Sequence, residues 1–327
     1  MSARILLTGA HGQLGWELQR TCPAHVELHA FDRAKLDITQ AEQVHEAAQA
    51  IQPHWIINAA AYTAVDKAES EPKLAYAVNR DGAHLLAEAA RAVGARMVQI
   101  STDFVFDGQQ SHPYPPSPLG GALDGRTPQG LPARKPEGSE RRDQGPGERG
   151  AIPTVCTYGA SKQAGELAVL EVLGVDALIV RTAWVYSSHG HNFVKTMLRL
   201  MRERESLGVV ADQIGSPTWA KGLAQALWRA IEKEITGIHH WTDAGVASWY
   251  DFACAIQDEA VALGLLDRPI PIRPIRTEEY PTPARRPAYS VLDKTTTWKA
   301  LGIDTPSHWR HPLRHMLREL RPEGAHG

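Results

Sequence analysis

Tyr158 and Lys162 are the residues of this 327-residue chain whose types and spacing point most directly to chemistry. They lie four positions apart in a segment typical of a helix, so both side chains would share one helix face. A tyrosine has an ordinary pKa of about 10, and a neighbouring ammonium group lowers it. The pair is therefore predicted to pass a proton to a carbonyl oxygen. The spacing alone is a weak signal, since an exposed tyrosine beside a solvated lysine also produces it.

A glycine-rich turn near the N-terminus is the second segment with chemical meaning. It follows a short apolar run and precedes a helical pattern, and strand, turn and helix in that order form a dinucleotide site. The glycines let the backbone approach a pyrophosphate at the helix N-terminus. A glycine trio can also be only a tight turn, but its place after a strand favours the cofactor site. The predicted cofactor contacts here are Gly9, Gly12, Gln13, Leu14 and Gly15.

Asp32 and Arg33 stand side by side at the end of the next predicted strand. A carboxylate at this point accepts hydrogen bonds from the adenosine ribose of NADH, whereas a guanidinium can meet the 2'-phosphate of NADPH. The cofactor is therefore expected to be NADPH or NADH, and the pair leaves the choice open.

The elements that must position these residues alternate between apolar runs and helical patterns. Strands are predicted at 5–7, 26–31, 55–58, 97–101 and 178–181, and helices at 13–21, 40–51, 72–93 and 161–173. This alternation predicts an α/β fold, a Rossmann-like doubly wound parallel sheet that binds ligands at the carboxyl ends of its strands. Later helices are predicted at 192–204, 222–235, 248–263 and 312–320. We expect a dinucleotide-binding domain at 1–186 and a smaller, mainly helical substrate-binding region at 187–327, whose chain partly re-enters the first domain.

The composition changes abruptly between residues 113 and 153, which contain nine prolines and eight glycines. Few bulky apolar residues are present there, so the free energy gained by burying apolar surface cannot offset the conformational entropy lost on ordering the segment. Residues 115–152 are therefore predicted to be a mobile insertion. It is either a tolerated surface excursion or a lid or docking segment, since it leads into the helix of Tyr158.

The overall composition indicates a soluble enzyme. Hydrophobic residues make up 43% of the chain, and a net charge of -2 gives no electrostatic case for nucleic acid or an anionic membrane. The cysteines Cys22, Cys156 and Cys254 are scattered without metal-ligand spacing. No apolar run reaches membrane length, and no signal segment is recognised, so we expect a cytoplasmic protein.

Three longer segments carry a resemblance to a known family. They are N-A-A-A-Y-T-A-V-D-K-A-E at 58–69, S-T-D-F-V-F-D-G at 101–108 and R-T-A-W-V-Y at 181–186. Together they resemble the dTDP-4-dehydrorhamnose reductases, within the extended short-chain dehydrogenase/reductases. The resemblance runs from Ile5 to about Leu320 and is broken by the insertion. It implies hydride transfer from a nicotinamide to the carbon-4 ketone of dTDP-4-dehydro-6-deoxy-L-mannose, giving dTDP-L-rhamnose.

The resemblance also implies roles for individual residues. Tyr158 would donate the proton, Lys162 would hold the nicotinamide ribose, and the Thr102 hydroxyl would bond the same substrate oxygen. Further cofactor contacts are implied at Asp37, Ile38, Ala59, Ala60 and Ala61. Sugar contacts are implied at Thr102, Asp103, Trp184, Val65 and Asn79. Separately, Arg286 in the proline-rich segment at 280–287 could hold the diphosphate by a bidentate contact, although exposed arginines in such loops are usually solvated.

Two positions depart from the family pattern. Phe104 stands where tyrosine is common, which removes a hydroxyl near the sugar. Some members dimerise around a magnesium ion held by glutamates; Glu17 and Glu319 resemble two of these ligands, but Lys221 occupies the third position. Since an ammonium cannot ligate a cation, an ion pair is expected in place of the metal, and a homodimer remains an option.

Three hypotheses follow from the sequence. The first is the sugar-nucleotide 4-keto reductase just described. The second is a non-catalytic regulatory subunit similar to the methionine adenosyltransferase beta subunit, which shares the fold and many of the motifs. The third is another nucleotide-sugar reductase, epimerase or dehydratase, and an epimerase or dehydratase would retain its NAD through the cycle.

Overall fold

The computed structural model describes residues 3–117 and 154–321. The predicted insertion lies outside the described residues from position 118 onward. Within the described ranges, no helix combines the length and apolar character needed to cross a bilayer.

The regular elements follow the predicted alternation closely. The strands are β1 Ala3–Thr8, β2 Val26–Phe31, β3 Trp55–Asn58, β4 Arg96–Thr102, β5 Ala177–Thr182, β6 Val185–Tyr186, β7 Leu207–Val210, β8 Ile214–Gly215, β9 Thr218–Trp219, β10 Gly237–His240, β11 Ala247–Ser248 and β12 Ile272–Ile275. The α-helices are α1 Gln13–Arg20, α2 Ala41–Ile51, α3 Val65–Ala68, α4 Pro72–Tyr76, α5 Gly82–Ala92, α6 Thr157–Leu173, α7 Phe193–Glu203, α8 Ala220–Glu232, α9 Trp249–Ala262, α10 Thr295–Leu301 and α11 Arg310–Glu319.

The central sheet has six strands in the order β10-β5-β4-β3-β1-β2. All five neighbouring pairs are parallel. The chain order reverses between β1 and β3, and in open α/β sheets ligands bind at such a switch point. The predicted Rossmann-like fold is confirmed.

Side chains of β1 alternate between the two faces of the sheet, as a strand period of two requires. Ile5 and Leu7 pack in the core beneath α1 and α8, whereas Leu6 packs in the core beneath α2 and α5. Both faces of the sheet are therefore covered by helices, and the site must lie at the strand ends.

The helix predicted as one unit at 72–93 is interrupted by a π-helical turn at Ala77–Asp81, between α4 and α5. Asn79 in this turn is buried and bonds the backbone of Tyr62 and the hydroxyl of Ser161. A Cβ atom at Gly165 would lie 2.0 Å from the Asn79 carbonyl oxygen, so α6 and this turn are in close contact. The extra backbone residue of the π turn thus allows close packing against α6. The helical periodicity of the sequence does not reveal this contact.

Residues beyond 186 form a second core, with buried side chains from α7, α9 and α11. They also contribute to the first core, because β10 pairs with β5 and α8 packs against the central sheet. The sequence missed β10 and the short strands β6 to β9, β11 and β12.

Candidate functional site

The glycine turn between β1 and α1 is built for close backbone approach. Gly9 has a φ of +74°, in the left-handed region, and a Cβ atom there would lie 2.6 Å from the backbone of Ala59 and Ala60. A Cβ atom at Gly15 would lie 2.1 Å from the Gly9 carbonyl oxygen. Larger side chains therefore do not fit at these positions, and the N-terminus of α1 is suited to bind an anion.

A cleft of about 290 Å³ lies beside this turn. Its walls bring together most of the residues predicted to hold the cofactor: Gly9, Gly12, Asp32, Arg33, Asp37, Ile38, Ala59, Ala60 and Ala61. His11, Leu36, Tyr62 and Val78 also line it and were not predicted as contacts. The residues present fit a dinucleotide, because the cleft joins the glycine turn to the strand end that carries an acid and a base.

The electrostatics of the cleft follow from a few local contacts. Asp32 lies 3.3 Å from the His11 ring, and its other oxygen accepts from the Lys35 amide. The Arg33 side chain is 76% exposed and 3.6 Å from Asp37, so its guanidinium can reorient toward a phosphate. The pKa of Asp37 is lowered, chiefly by the backbone hydrogen bond from Thr39.

Two residues predicted to contact the pyrophosphate have other partners. The Gln13 amide oxygen accepts from Asn192 at 2.9 Å, and Asn192 caps helix α7. Leu14 is buried in the core between α1 and the sheet. The glycine turn is therefore tied directly to the first helix of the C-terminal region.

Tyr158 lies in the first turn of α6 and is almost completely buried. A Cβ atom at Gly159 would lie 2.1 Å from the Phe104 carbonyl oxygen, so this helix packs tightly against the end of β4. Its ring lies edge-on to Phe104, with ring centroids 5.6 Å apart. Thr102, the last residue of β4, lies close enough to the Tyr158 phenol to influence its pKa.

The environment of the Tyr158 phenol differs from the sequence prediction. Burial, the largest cause, raises the pKa of Tyr158, and the charges of Asp103 and Cys156 raise it further. Thr102 acts in the opposite direction. The predicted lowering of the Tyr158 pKa by Lys162 is therefore wrong: desolvation penalises the phenolate, and Lys162 is not among the groups that shift this pKa.

Lys162 occupies the same helix face one turn later, as predicted. Its ammonium group is buried and donates to the Ile100 carbonyl oxygen at 2.6 Å, so it is anchored to β4. Burial lowers the pKa of Lys162 to about 8, while the charge of Glu166 acts to raise it. Glu166 is itself paired with Arg181 of β5 at 2.7 Å, and both side chains are buried.

The residues implied as sugar contacts are only partly brought together. Val65 packs in the same cluster as Tyr158. Asn79 is committed to the π turn, and Asp103 is only 2% exposed behind Thr102. The sequence motifs predict a functional role for these three residues. They do not show which of the three side chains reach the cleft.

Trp184 has a φ of +49°, which is unusual for a bulky residue and costs free energy. Its indole stacks on Trp249 with ring centroids 3.6 Å apart, and a Cβ atom at Gly215 would lie 2.6 Å from it. The strained backbone thus holds this ring against Trp249, which lines a cavity in the C-terminal region.

That cavity has a volume of about 320 Å³ and lies among α7, β7, α9 and the loop at 280–286. One wall is apolar, formed by Phe193, Met197, Leu200, Leu207, Val209 and Trp249. Its polar groups are Thr196, Gln213, Tyr280, Thr282 and Arg286. An apolar cavity with a few polar groups suits a nucleoside with attached phosphates. This apolar wall was not predicted, since apolar residues in helices and strands are expected to pack in the core.

Arg286 is the one predicted substrate contact that lines the cavity. Its guanidinium makes two hydrogen bonds with Asp66 of α3, at 2.9 and 2.8 Å. It also donates to Thr282 and to the Ala284 carbonyl oxygen. This pair links the C-terminal loop to the cofactor region, beside the cluster that contains Tyr158.

The position implied for magnesium holds an ion-pair cluster, which comprises Glu17, Arg20, Lys221 and Glu319. Arg20 bonds both carboxylates, at 2.8 Å to Glu17 and 2.9 Å to Glu319, and Lys221 lies 3.0 Å from Glu319. Two cations already balance the two carboxylates, so this donor set does not fit a divalent cation. Within the described ranges, no group of three or more histidine, cysteine, aspartate or glutamate side chains could hold a metal ion.

Comparison with known proteins agrees with this geometry. The family model described as "RmlD substrate binding domain" matches residues 3–121 and 150–321, so its gap lies within the predicted insertion at 115–152. The dTDP-4-dehydrorhamnose reductase of Aggregatibacter actinomycetemcomitans is 41% identical over 322 residues, which cover 96% of this chain and 98% of that protein. The chain therefore belongs to the dTDP-4-dehydrorhamnose reductase family.

Solved structures of similar proteins extend the comparison. A dTDP-4-dehydrorhamnose reductase from Bacillus anthracis, crystallised in complex with NADP, is 36% identical, covers 98% of this chain and 100% of its own, and has a TM-score of 0.81. A UDP-glucose 4-epimerase from Thermus thermophilus in complex with NAD covers 99% of this chain and 100% of its own, with a TM-score of 0.70. At 19% identity, this second likeness shows the fold alone. The reductase family, rather than the epimerases, is thus matched by both sequence and structure.

Proposed function

We propose that this protein is an NAD(P)H-dependent reductase that converts dTDP-4-dehydro-6-deoxy-L-mannose to dTDP-L-rhamnose. The observation that carries the proposal is that Thr102 ends strand β4, to which Lys162 anchors the helix that carries Tyr158. Tyr158 packs in one cluster with Tyr62, which lines the dinucleotide cleft. Membership of the reductase family supplies the substrate. A bound reduced nicotinamide supplies the hydride to carbon 4 of the sugar.

The chain's own residues control the proton and the geometry. Tyr158 donates its phenol proton to the oxygen at carbon 4 as negative charge develops there. The Thr102 hydroxyl is a second donor for that oxygen, and a donor fixed in a buried site stabilises the developing charge strongly. Lys162, anchored by Ile100, holds the ribose next to the nicotinamide ring.

The two cavities divide the ligands between the two regions. We assign residues 1–186 to the cofactor, with the contacts named above, and residues 187–327 to the sugar nucleotide. The cavity beside Trp249 would take the nucleoside, with Arg286 near the diphosphate. Trp184, Val65 and Thr102 would then border the sugar, between this cavity and Tyr158.

We also propose a cytoplasmic homodimer. The described cysteines are free thiols, in keeping with a reducing compartment. The ion-pair cluster on α1, α8 and α11 offers charged groups to a second copy, in place of a shared metal ion. Light-scattering measurement of the molar mass of wild type and Lys221→Glu tests this: a monomeric wild type contradicts the dimer.

A single assay separates the proposed reductase from its alternatives. Purified protein is supplied with the keto sugar nucleotide and NADPH or NADH in turn, and absorbance of the reduced nicotinamide is followed. We expect oxidation of the cofactor that depends on the sugar and is lost in Tyr158→Phe. A regulatory subunit would give no oxidation, and an epimerase or dehydratase would carry retained NAD after purification.

A further inference from the structure

The first turn of α6, which carries Tyr158, begins without a cap from its own N-cap residue. In the described part of the chain that residue is Cys156, whose side chain makes no capping hydrogen bond, and the turn itself contains no acidic residue. The first backbone N–H groups of a helix have no partner within the helix. This helix end is therefore open to a cap from another part of the chain.

Glu69 supplies that cap from 88 positions earlier in the chain. Its Oε1 atom accepts from the Thr157 backbone N–H at 2.8 Å, and its Oε2 atom accepts from the Thr157 hydroxyl at 3.0 Å. The two bonds hold both the backbone and the side chain of the residue that directly precedes Tyr158. A carboxylate at a helix N-terminus also interacts favourably with the helix dipole. Glu69 thus fixes the start of the helix that carries the proposed proton donor.

The segment that presents Glu69 is itself tied to both proposed ligand regions. Glu69 directly follows α3, in which Asp66 binds Arg286, a residue that lines the C-terminal cavity. Two positions beyond Glu69, Glu71 accepts a 2.6 Å hydrogen bond from the hydroxyl of Tyr62, which lines the dinucleotide cleft. Glu69 therefore joins α6 to a segment whose partners line both cavities.

The other anchors of α6 lie further along the helix. Lys162 and Glu166 hold its later turns to the central sheet through buried contacts. Tyr158 precedes both, in a turn that is held by close packing against the end of β4 and by the Glu69 cap. Glu69 is exposed, and exposed charged contacts contribute little to global stability. The cap can therefore set the direction of the first turn without deciding whether the protein folds.

We propose that Glu69 is a positioning residue that sets the first turn of α6, through Thr157, and so places the Tyr158 hydroxyl at the sugar ketone. The proposal rests on the reductase function proposed above. A proton donor must lie within hydrogen-bond reach of the oxygen that it protonates. A misplacement of about 1 Å can lower a rate by roughly 100-fold, so a loosened first turn should reduce turnover while the binding contacts remain.

Glu69→Ala and Glu69→Gln form the decisive pair of variants. Alanine removes both hydrogen bonds, whereas a glutamine amide can accept from the Thr157 N–H and donate to the Thr157 hydroxyl. In Glu69→Ala we expect kcat to fall by about tenfold, with KM for the sugar nucleotide and the cofactor dissociation constant within about twofold. Glu69→Gln should keep kcat within about threefold of wild type, because the geometry is retained. The solvent deuterium isotope effect on kcat should rise in Glu69→Ala alone, since its proton transfer is slower.

Hydrogen exchange tests the cap without substrate or cofactor. Amides of residues 157–161 should exchange faster in Glu69→Ala than in wild type or Glu69→Gln, while residues 163–173 keep their protection. Glu205→Ala is the matched control, because it also removes an exposed carboxylate with two hydrogen bonds, in this case from Arg268. It should leave kcat and the exchange of α6 unchanged. The melting temperature of each variant should stay within about 3 °C of wild type.

The outcomes separate this proposal from the function beneath it. A wild type that does not reduce the keto sugar contradicts the reductase function. An active wild type whose Glu69→Ala variant keeps kcat contradicts only the positioning role. Equal losses of kcat in the alanine and glutamine variants would show that the charge of Glu69 matters rather than its geometry, and would overturn the proposal. A raised KM with unchanged kcat, or faster exchange throughout α6, would also overturn it.

Discussion

Lys162 donates a 2.6 Å hydrogen bond to the carbonyl oxygen of Ile100, which ties the middle of α6 to strand β4. Ile100 pairs with Val180 of β5, whose neighbour Arg181 holds Glu166 one turn further along α6. The helix that carries Tyr158 is therefore fixed at two successive turns to two adjacent strands. Such anchoring places the phenol relative to the strand ends more precisely than helix packing alone.

Tyr158→Phe is expected to lower kcat by about 100-fold or more, because it deletes the proton donor and keeps the ring that packs on Phe104. The dissociation constant of the cofactor should stay within about twofold, since the phenol is not its anchor. Stopped-flow turnover and cofactor fluorescence titration measure the two quantities. Turnover close to that of wild type would remove Tyr158 from the proton-donor role.

Lys162→Met should lower kcat and also raise the dissociation constant of the cofactor, because the ammonium is assigned to the nicotinamide ribose. Its pKa of about 8 adds a pH signature: the charged form is present below pH 8 and is lost as the pH rises through that value. Cofactor affinity of the wild type should weaken over the same range, and that of Lys162→Met should not. Unchanged affinity in the variant would show that the lysine only positions α6.

Arg33→Ala should weaken NADPH binding selectively. The guanidinium is largely exposed and its partner Asp37 is 3.6 Å away, so little must be broken before it meets a 2'-phosphate. NADH should be affected much less, since Asp32 remains for the ribose. Calorimetric titration measures the dissociation constants of both cofactors. Equal losses of affinity for NADPH and NADH would mean that Arg33 does not recognise the additional phosphate.

The sequence predicted the sheet and the chemical positions because both depend on local signals. Apolar runs defined β2 and β3 at their observed bounds, and the helix-forming segment placed Tyr158 and Lys162 on one face. The features that the sequence could not predict depend on contacts between residues that are far apart in the chain. The Asp66 carboxylate that engages Arg286 lies 220 positions earlier, and the burial that raises the Tyr158 pKa comes from several elements at once.

Asp66→Asn and Arg286→Ala are expected to have different effects on the Michaelis constant of the sugar nucleotide. If Arg286 holds the diphosphate, its removal should raise KM by about tenfold, whereas Asp66→Asn should lower KM or leave it unchanged, because it frees the guanidinium. Cofactor affinity serves as the internal control for both variants. Equal increases in KM would indicate that the pair only supports the loop at 280–286.

The Glu17, Arg20, Lys221 and Glu319 cluster leads to a prediction about stability. Burial acts to raise the pKa of Glu319, but hydrogen bonds from Arg20, Lys221 and Ser188 outweigh it, so the pKa lies below its usual 4.5. A group with a lowered folded-state pKa stabilises the fold above its unfolded pKa, and this contribution is lost as the pH falls through the lowered value. Glu319→Gln should therefore reduce the melting temperature by roughly 2 °C at pH 7, from roughly 1 kcal/mol, and have less effect as the pH falls below about 4.5.

Magnesium provides the matched test of the same cluster. Since Arg20 and Lys221 already neutralise the carboxylates, adding Mg²⁺ or a chelator should leave the melting temperature of the wild type unchanged. Lys221→Glu replaces one of these cations with a third carboxylate and should introduce a magnesium-dependent increase in melting temperature. A wild type that is stabilised by Mg²⁺ as strongly as the variant would contradict the assignment of this cluster as a replacement for a metal ion.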